Sequence, residues 1–222
     1  MAKGTTFGTV HSNRDLGLIQ QKVDIQPAQP KLNLIDIPGA DGSKDLSDRP
    51  AGRIVYHDRT LTWTFALYPG DNWHDKHRQV SAALNGKRLD IYLDDDPNYF
   101  YTGRLTVKKY NTDKALRQIT VEATCSPYMW AKEVSAWPVN FPSNSTGVTS
   151  VTVKGAAPAV CYVNLPYPAT VKVKNYSVNA SAGKIKLPVL LMPGGTSVSI
   201  TFNQSGVGEY IRVDFEWREG AL

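Results

Sequence analysis

The sharpest pattern in the chain is the run "RTLTWTFAL", where Leu61, Trp63, Phe65 and Leu67 alternate with Thr60, Thr62, Thr64 and Ala66. A period of two puts the apolar set on one face of a strand and the hydroxyls on the other, so this segment predicts a half-buried β-strand. Upstream, Val23 with Ile25 and Leu32 with Leu34 keep the same period, and Pro27 and Pro30 break it into two short strands, at least one of them on an edge. In "GDNWHDKHRQVSAALNGK" the period lengthens: Trp73, His77, Val80, Ala83 and Leu84 recur at steps of three and four, Asp71 or Asn72 can cap the start, and Gly86 follows the end. That is the one convincing helix. Beyond it, "RLDIYLDDDPNYFYTGRLTVKKY" reads as a strand, an acidic proline turn and a second strand, and "NTDKAL" turns the chain into "RQITVEATC", which predicts a three-stranded antiparallel meander.

The alternation then lapses through "SPYMWAKEVSAWPVNFPSNSTG", with three prolines between Pro127 and Pro142, and a domain boundary is placed near Trp130. Short strands resume in "VTSVTVKG", "AVCYVNL", "ATVKVKNYSV", "KIKLPVLLM", "TSVSITFN" and "EYIRVDFEW", separated by turns that include Pro158, Pro166, Gly183, Gly194-Gly195 and Gly206-Gly208. Regular spacing of short strands and turns argues for a β-sandwich. The organisation expected is therefore mainly β: residues 1–131 as an N-terminal β-sandwich with one α-helix, and residues 132–222 as a second β-sandwich.

Composition supports a folded chain. Of 222 residues, 41% are hydrophobic and 20% charged, too apolar for a disordered polymer. The net charge of +5 comes from scattered basic residues, with short clusters at Lys87-Arg88 and Lys108-Lys109 but no basic tract, and biases the protein only mildly toward acidic partners. No apolar window is long enough for a membrane span, and the N-terminus lacks the apolar core of an export signal. Cys125 and Cys161 lack paired zinc-site spacing and are expected as buried free thiols, and the sequons at Asn144, Asn175 and Asn179 carry no weight without secretion.

Several groups of residues look chemical, and each has a plainer account. In "IDIPGADGSKDL", Asp36, Asp41 and Asp45 lack the ligand spacing and terminal Glu of a calcium loop, and the phosphate-loop pattern is absent. Pro38 fixes φ, Gly39 and Gly42 accept positive φ, and Asp41 can bond its own downstream backbone, so turn chemistry explains the segment. Asp94-Asp95-Asp96 reads as a solvated hairpin tip. His74 faces solvent and His77 flanks the buried face of the helix, without the acidic partner a metal site needs. No nucleophile elbow occurs and no catalytic residue, cofactor site or metal site is assigned. Tyr128, Trp130, Trp137 and Phe141 gather near the domain junction, and Tyr162, Tyr167 and Tyr176 lie in the second half; stacking on sugars or bases is conceivable, with packing the commoner use.

The order of these parts, "IPGADGSKDLSD", "YHDRTLTWTF", a helix from "WHDKHRQV" to "LNGKR" and a strand-rich stretch closing in "CSPYMW", resembles the N-terminal domain of the distal tail (Dit) proteins of long-tailed bacteriophages. The second half, most visibly "LLMPGGTSVSITFNQSGVGEYIRVDFEWREGAL", is similar to their C-terminal galectin-like β-sandwich. The resemblance implies a non-enzymatic virion hub, made in the host cytoplasm and placed at the tail tip. A ring of six copies would join the tail tube protein and the tape-measure protein to the tail-associated baseplate or fibre proteins, with DNA passing through the lumen without specific binding. The chain lacks the long insertion that larger members carry in the second sandwich. The competing class is a carbohydrate-binding module that grips host glycans through Tyr162, Tyr167 or Tyr176.

A ring gives the aspartate-rich stretch a role. About fifteen residues of Gly, Pro, Asp and Ser between two strands are long for a loop in a compact domain. Head-to-tail contacts join unlike surfaces, and a segment from Asp36 to Arg53 laid on the next copy would provide one. The expected contact residues are Asp36, Pro38, Gly39, Asp41, Gly42, Lys44, Asp45, Arg49 and Arg53.

Overall fold

The structure is a computed structural model that describes residues 3–110, 117–204 and 208–222. The turns expected at "NTDKAL" and around Ser205 lie outside the described residues. The chain divides into two compact units, Met1–Met129 with Leu222, and Trp130–Ala221.

The first unit runs β1 (Thr5–Phe7), β2 (Val10–His11), β3 (Leu18–Ile25), β4 (Leu34–Asp36), β5 (Ser43–Asp45), β6 (Arg59–Leu67), α1 (Trp73–Leu84), β7 (Arg88–Leu93), β8 (Asp96–Tyr110) and β9 (Gln118–Cys125), followed by β10 (Met129–Ala131). Antiparallel pairing orders the main strands β2-β1-β7-β8-β9-β6-β3. The meander β7-β8-β9 forms as the alternation predicts, and β6 buries Leu61, Trp63, Phe65 and Leu67 while its threonines stay on the wetter face.

Three strands separate β1 from β6 in that order, yet their side chains meet. The rings of Phe7 and Trp63 lie edge to face with centroids 5.1 Å apart, the Trp63 indole donates to Thr5 Oγ1 at 3.0 Å, and Thr5 Oγ1 donates to Gln20 Oε1 of β3 at 2.6 Å. One sheet has therefore curled until its two ends face each other across a single core, a sandwich made by folding rather than stacking. Register shifts in β3, β7 and β8 supply the bending. Gly103 permits β8 and β9 to close up, since a Cβ there would fall 2.3 Å from Cys125 Sγ and 2.8 Å from the Thr124 carbonyl oxygen.

The helix settles the capping alternatives: Asn72 Oδ1 accepts from the His74 and Asp75 amides at 3.1 and 3.4 Å. Val80 and Leu84 form its buried edge, and beyond the end Gly86 turns at φ +77°.

The second unit runs β11 (Ser135–Pro142), β12 (Thr146–Val151), β13 (Ala159–Leu165), β14 (Ala169–Val173), β15 (Tyr176–Ala180), β16 (Gly183–Leu191), β17 (Thr196–Phe202), β18 (Tyr210–Trp217) and β19 (Gly220–Ala221). Two antiparallel sheets, β11-β18-β13-β16 and β12-β17-β14-β15, share one core that includes Phe141, Val163, Val171, Ile200, Phe202, Val213 and Phe215, which makes this unit a β-sandwich. The segment "ATVKVKNYSV", expected as one strand, is a tight hairpin of β14 and β15 in which Lys174 takes φ +51°. The proline-rich stretch before Ser143, read as unpatterned, contains β11. Pro138 and Pro142 are tolerated because β11 is an edge strand, and Pro188 of β16 sits on the opposite edge of the same sheet for the same reason.

Candidate functional site

The aspartate-rich stretch is an antiparallel ribbon. Its base is tied where the Lys31 amide donates to the Val55 carbonyl and the His57 amide to the Gln29 carbonyl, both at 2.8 Å. Farther out, Leu34, Ile35 and Asp36 pair with Asp45, Lys44 and Ser43, and the chain reverses over residues 37–42 with Gly39 at φ +80° and Gly42 at φ +74°. The single extended segment foreseen between two strands is thus a two-stranded hairpin, β4–β5, and β6 begins only at Arg59.

Polar side chains stiffen this arm. Ser43 Oγ donates to Asp36 Oδ1 at 2.6 Å. Asp45 Oδ1 accepts from both the amide and the hydroxyl of Ser47, whose oxygen in turn receives the Asn33 amide at 2.8 Å. Those bonds from Ser47 hold the Asp45 carboxyl below its ordinary pKa. Both faces are wet. Leu32, Leu34, Ile35 and Ile37 are 61, 53, 46 and 46% exposed, so the alternation of Leu32 and Leu34 serves neither core of the described residues. Asp36, Pro38, Gly39, Asp41, Gly42, Lys44 and Asp45 come together on the arm, and Arg49 is exposed on its return. Arg53 stands apart: its Nη1 donates to the Ile54 carbonyl at 3.0 Å and to Tyr128 Oη at 3.1 Å.

The acidic turn at Asp94 to Asp96 has a structural task that sequence reasoning missed. His11 is buried. Its Nδ1 accepts from the Asn13 and Arg14 amides at 3.1 Å each, which leaves Nε2 as the donor to Asp94 Oδ2 at 3.2 Å. The same carboxylate accepts the Gly4 amide at 2.9 Å, and Lys3 meets Asp95 at 2.5 Å, an ion pair that raises the Lys3 pKa. Together these bonds pin β1 and β2 against the β7–β8 hairpin. His77 stacks on Trp73 with centroids 5.7 Å apart and His74 is exposed. Among the described residues, no group of three or more His, Cys, Asp or Glu is placed to hold a metal ion. Cys125 and Cys161 are buried free thiols, each with its pKa pushed up to about 12 by burial.

The aromatic residues near residue 130 belong to both units. Phe141 is in the core of the second unit, Tyr128 packs on Tyr56 in the first, and Trp137 is 36% exposed with its ring 6.3 Å from Phe215. The three tyrosines are likewise apart. Tyr162 lines a cavity of about 260 Å³ and carries the Lys184 ammonium 5.3 Å above its ring, Tyr167 packs against the core, and Tyr176 is exposed beside the β14–β15 turn on the other sheet.

No protein-family model matches the chain, and no curated protein matches it by sequence. Among solved structures, the chain is similar to the SPP1 Dit (gp 19.1) protein, described as a paradigm of hub adsorption apparatus in phages infecting Gram-positive bacteria. The TM-score is 0.66 and the identity 13%, and the match covers 100% of both chains. The chain therefore shares the β fold of that protein over its whole length.

Proposed function

We propose that this protein is a distal tail hub of a long-tailed phage, six copies closing head to tail into a ring at the tail tip. The observation that carries the reading is the full-length likeness to a hub protein, with no part of either chain left over. The arm supplies the joint: four large apolar side chains stand in water on a ribbon stiffened by its own hydrogen bonds, a state that burial on another copy relieves. In this reading the first unit rests on the tail tube, below the tape-measure protein, and the second unit faces outward toward the baseplate or fibre proteins. DNA passes through the lumen, and the protein performs no turnover.

Negative-stain images of the purified full chain test the ring and are expected to show six-fold particles with an open centre. Removing residues 40–48 tests the joint. The shortened chain is expected to run as a monomer in light scattering under conditions where the full chain assembles, and an unchanged mass would refute the role of the arm.

A further inference from the structure

The second unit has a cleft of about 570 Å³ that no part of the hub reading uses, between the edge strands β11 and β12 and the end of β18. We propose that it binds the pyranose ring of a glycan, stacked on Trp137 and hydrogen-bonded by Glu219 and the hydroxyls of the rim.

The size lies within the roughly 300–1,000 Å³ of small-ligand sites. Two indoles line it. Trp217 is nearly closed off, whereas Trp137, on the inner face of an edge strand, keeps 36% of its surface open. An exposed flat ring beside polar groups suits a sugar, which has C–H groups on one face and hydroxyls around its edge. Glu219 is already positioned: Oε1 accepts from the Trp217 indole at 2.7 Å and the Lys154 amide at 3.2 Å, and Oε2 from the Gly155 amide at 2.7 Å. Oε1 has both lone pairs engaged, and Oε2 keeps one for a sugar hydroxyl. Gly155 holds this arrangement tight, because a Cβ there would lie 2.3 Å from the Gly220 carbonyl oxygen. Around the rim stand Ser135, Thr152 and the Lys154 ammonium, which makes no ion pair among the described residues.

The main competing occupant is a peptide from another virion protein. Pro138 and Pro142 remove two backbone donors from β11, which weakens this edge as a template for an added strand. A compact ring ligand needs no such edge.

The test is saturation-transfer NMR and calorimetry on the full chain with the methyl glycosides of glucose, galactose, mannose, N-acetylglucosamine and glucuronic acid. At least one is expected to receive saturation at its ring protons and to bind about tenfold more weakly to Trp137→Ala. Trp137→Tyr, which keeps a stacking face, is expected to retain binding and to show that lost affinity is not lost folding; Tyr176→Ala is expected to bind as the parent does. Absence of transfer from all five glycosides overturns the proposal, as does binding that survives Trp137→Ala. Capture of a tail protein through Trp137 without any glycoside response also overturns it and assigns the cleft to that protein. Ring images and sugar transfer are separate readouts, so the hub reading and this one fail independently.

Discussion

Replacing Leu32, Leu34, Ile35 and Ile37 together by serine probes the arm without shortening it. Their exposures leave about two side chains' worth of apolar surface uncovered, and burying it at about 1.5–3 kcal/mol per side chain gives roughly 4 kcal/mol for each arm laid on a neighbour. That corresponds to about a thousandfold in the association constant of one joint. The isolated subunit gives up less, because the same four residues belong to neither hydrophobic core of the described residues. Sedimentation velocity across a concentration series, with a thermal melt of each sample, separates the two effects. The expected result is a parent that assembles and a variant that stays monomeric, with melting temperatures within a few degrees of each other. A variant that forms rings at the parent's concentration, or one that unfolds outright, would refute the reasoning; the latter would mean the arm belongs to the subunit's own core.

Other substitutions probe the packing. Trp63→Ala empties the space where the two ends of the curled sheet meet and is expected to lower stability by about 3–5 kcal/mol in urea unfolding. His11→Ala leaves the Asn13 and Arg14 amides without their acceptor and is expected to cost about 1–3 kcal/mol in the same assay. The raised pKa of the two thiols sets a sign for alkaline pH. Between about pH 9 and 12 the unfolded chain releases thiol protons that the folded chain keeps, so the folded state loses stability as pH rises through that window. Urea midpoints are expected to fall above pH 9 and to fall less steeply in a Cys125→Ala, Cys161→Ala variant.

Where a strand has one dry and one wet face, its residues said so: β6, β9 and β18 alternate as expected, and the helix declares itself by the switch in period and by Asn72 and Gly86. What was hidden depends on neighbours distant in the chain. β1 is three residues long; beyond its short hairpin with β2 it is held by β7 and by the bonds that reach Asp94, which are not local. In β11, prolines mask an alternation of Trp137, Val139 and Phe141 that only an edge position permits. The turn between β14 and β15 has no glycine or proline to announce it, because Lys174 takes the left-handed conformation itself. At the arm, the Pro-Gly-x-Asp-Gly turn was legible, but the exposure of Leu32 and Leu34 was not. Alternation shows that two faces differ and says nothing about which molecule covers them.

The placement of β1 bears on how the chain matures as it is made. Thr6 and Phe7 pair at once with His11 and Val10 of β2, but the other edge of β1 waits until Leu93, Tyr92 and Ile91 of β7 have been made. Meanwhile Phe7 and Leu18, both sealed in the finished fold, trail from the nascent chain as sticky apolar sites. The second unit repeats the delay, since β11 cannot zip to β18 until nearly the last residues are synthesised. The first unit thus stays open on one edge until β7 is made and the second until β18 is, a sequence of events that invites a holding chaperone during synthesis.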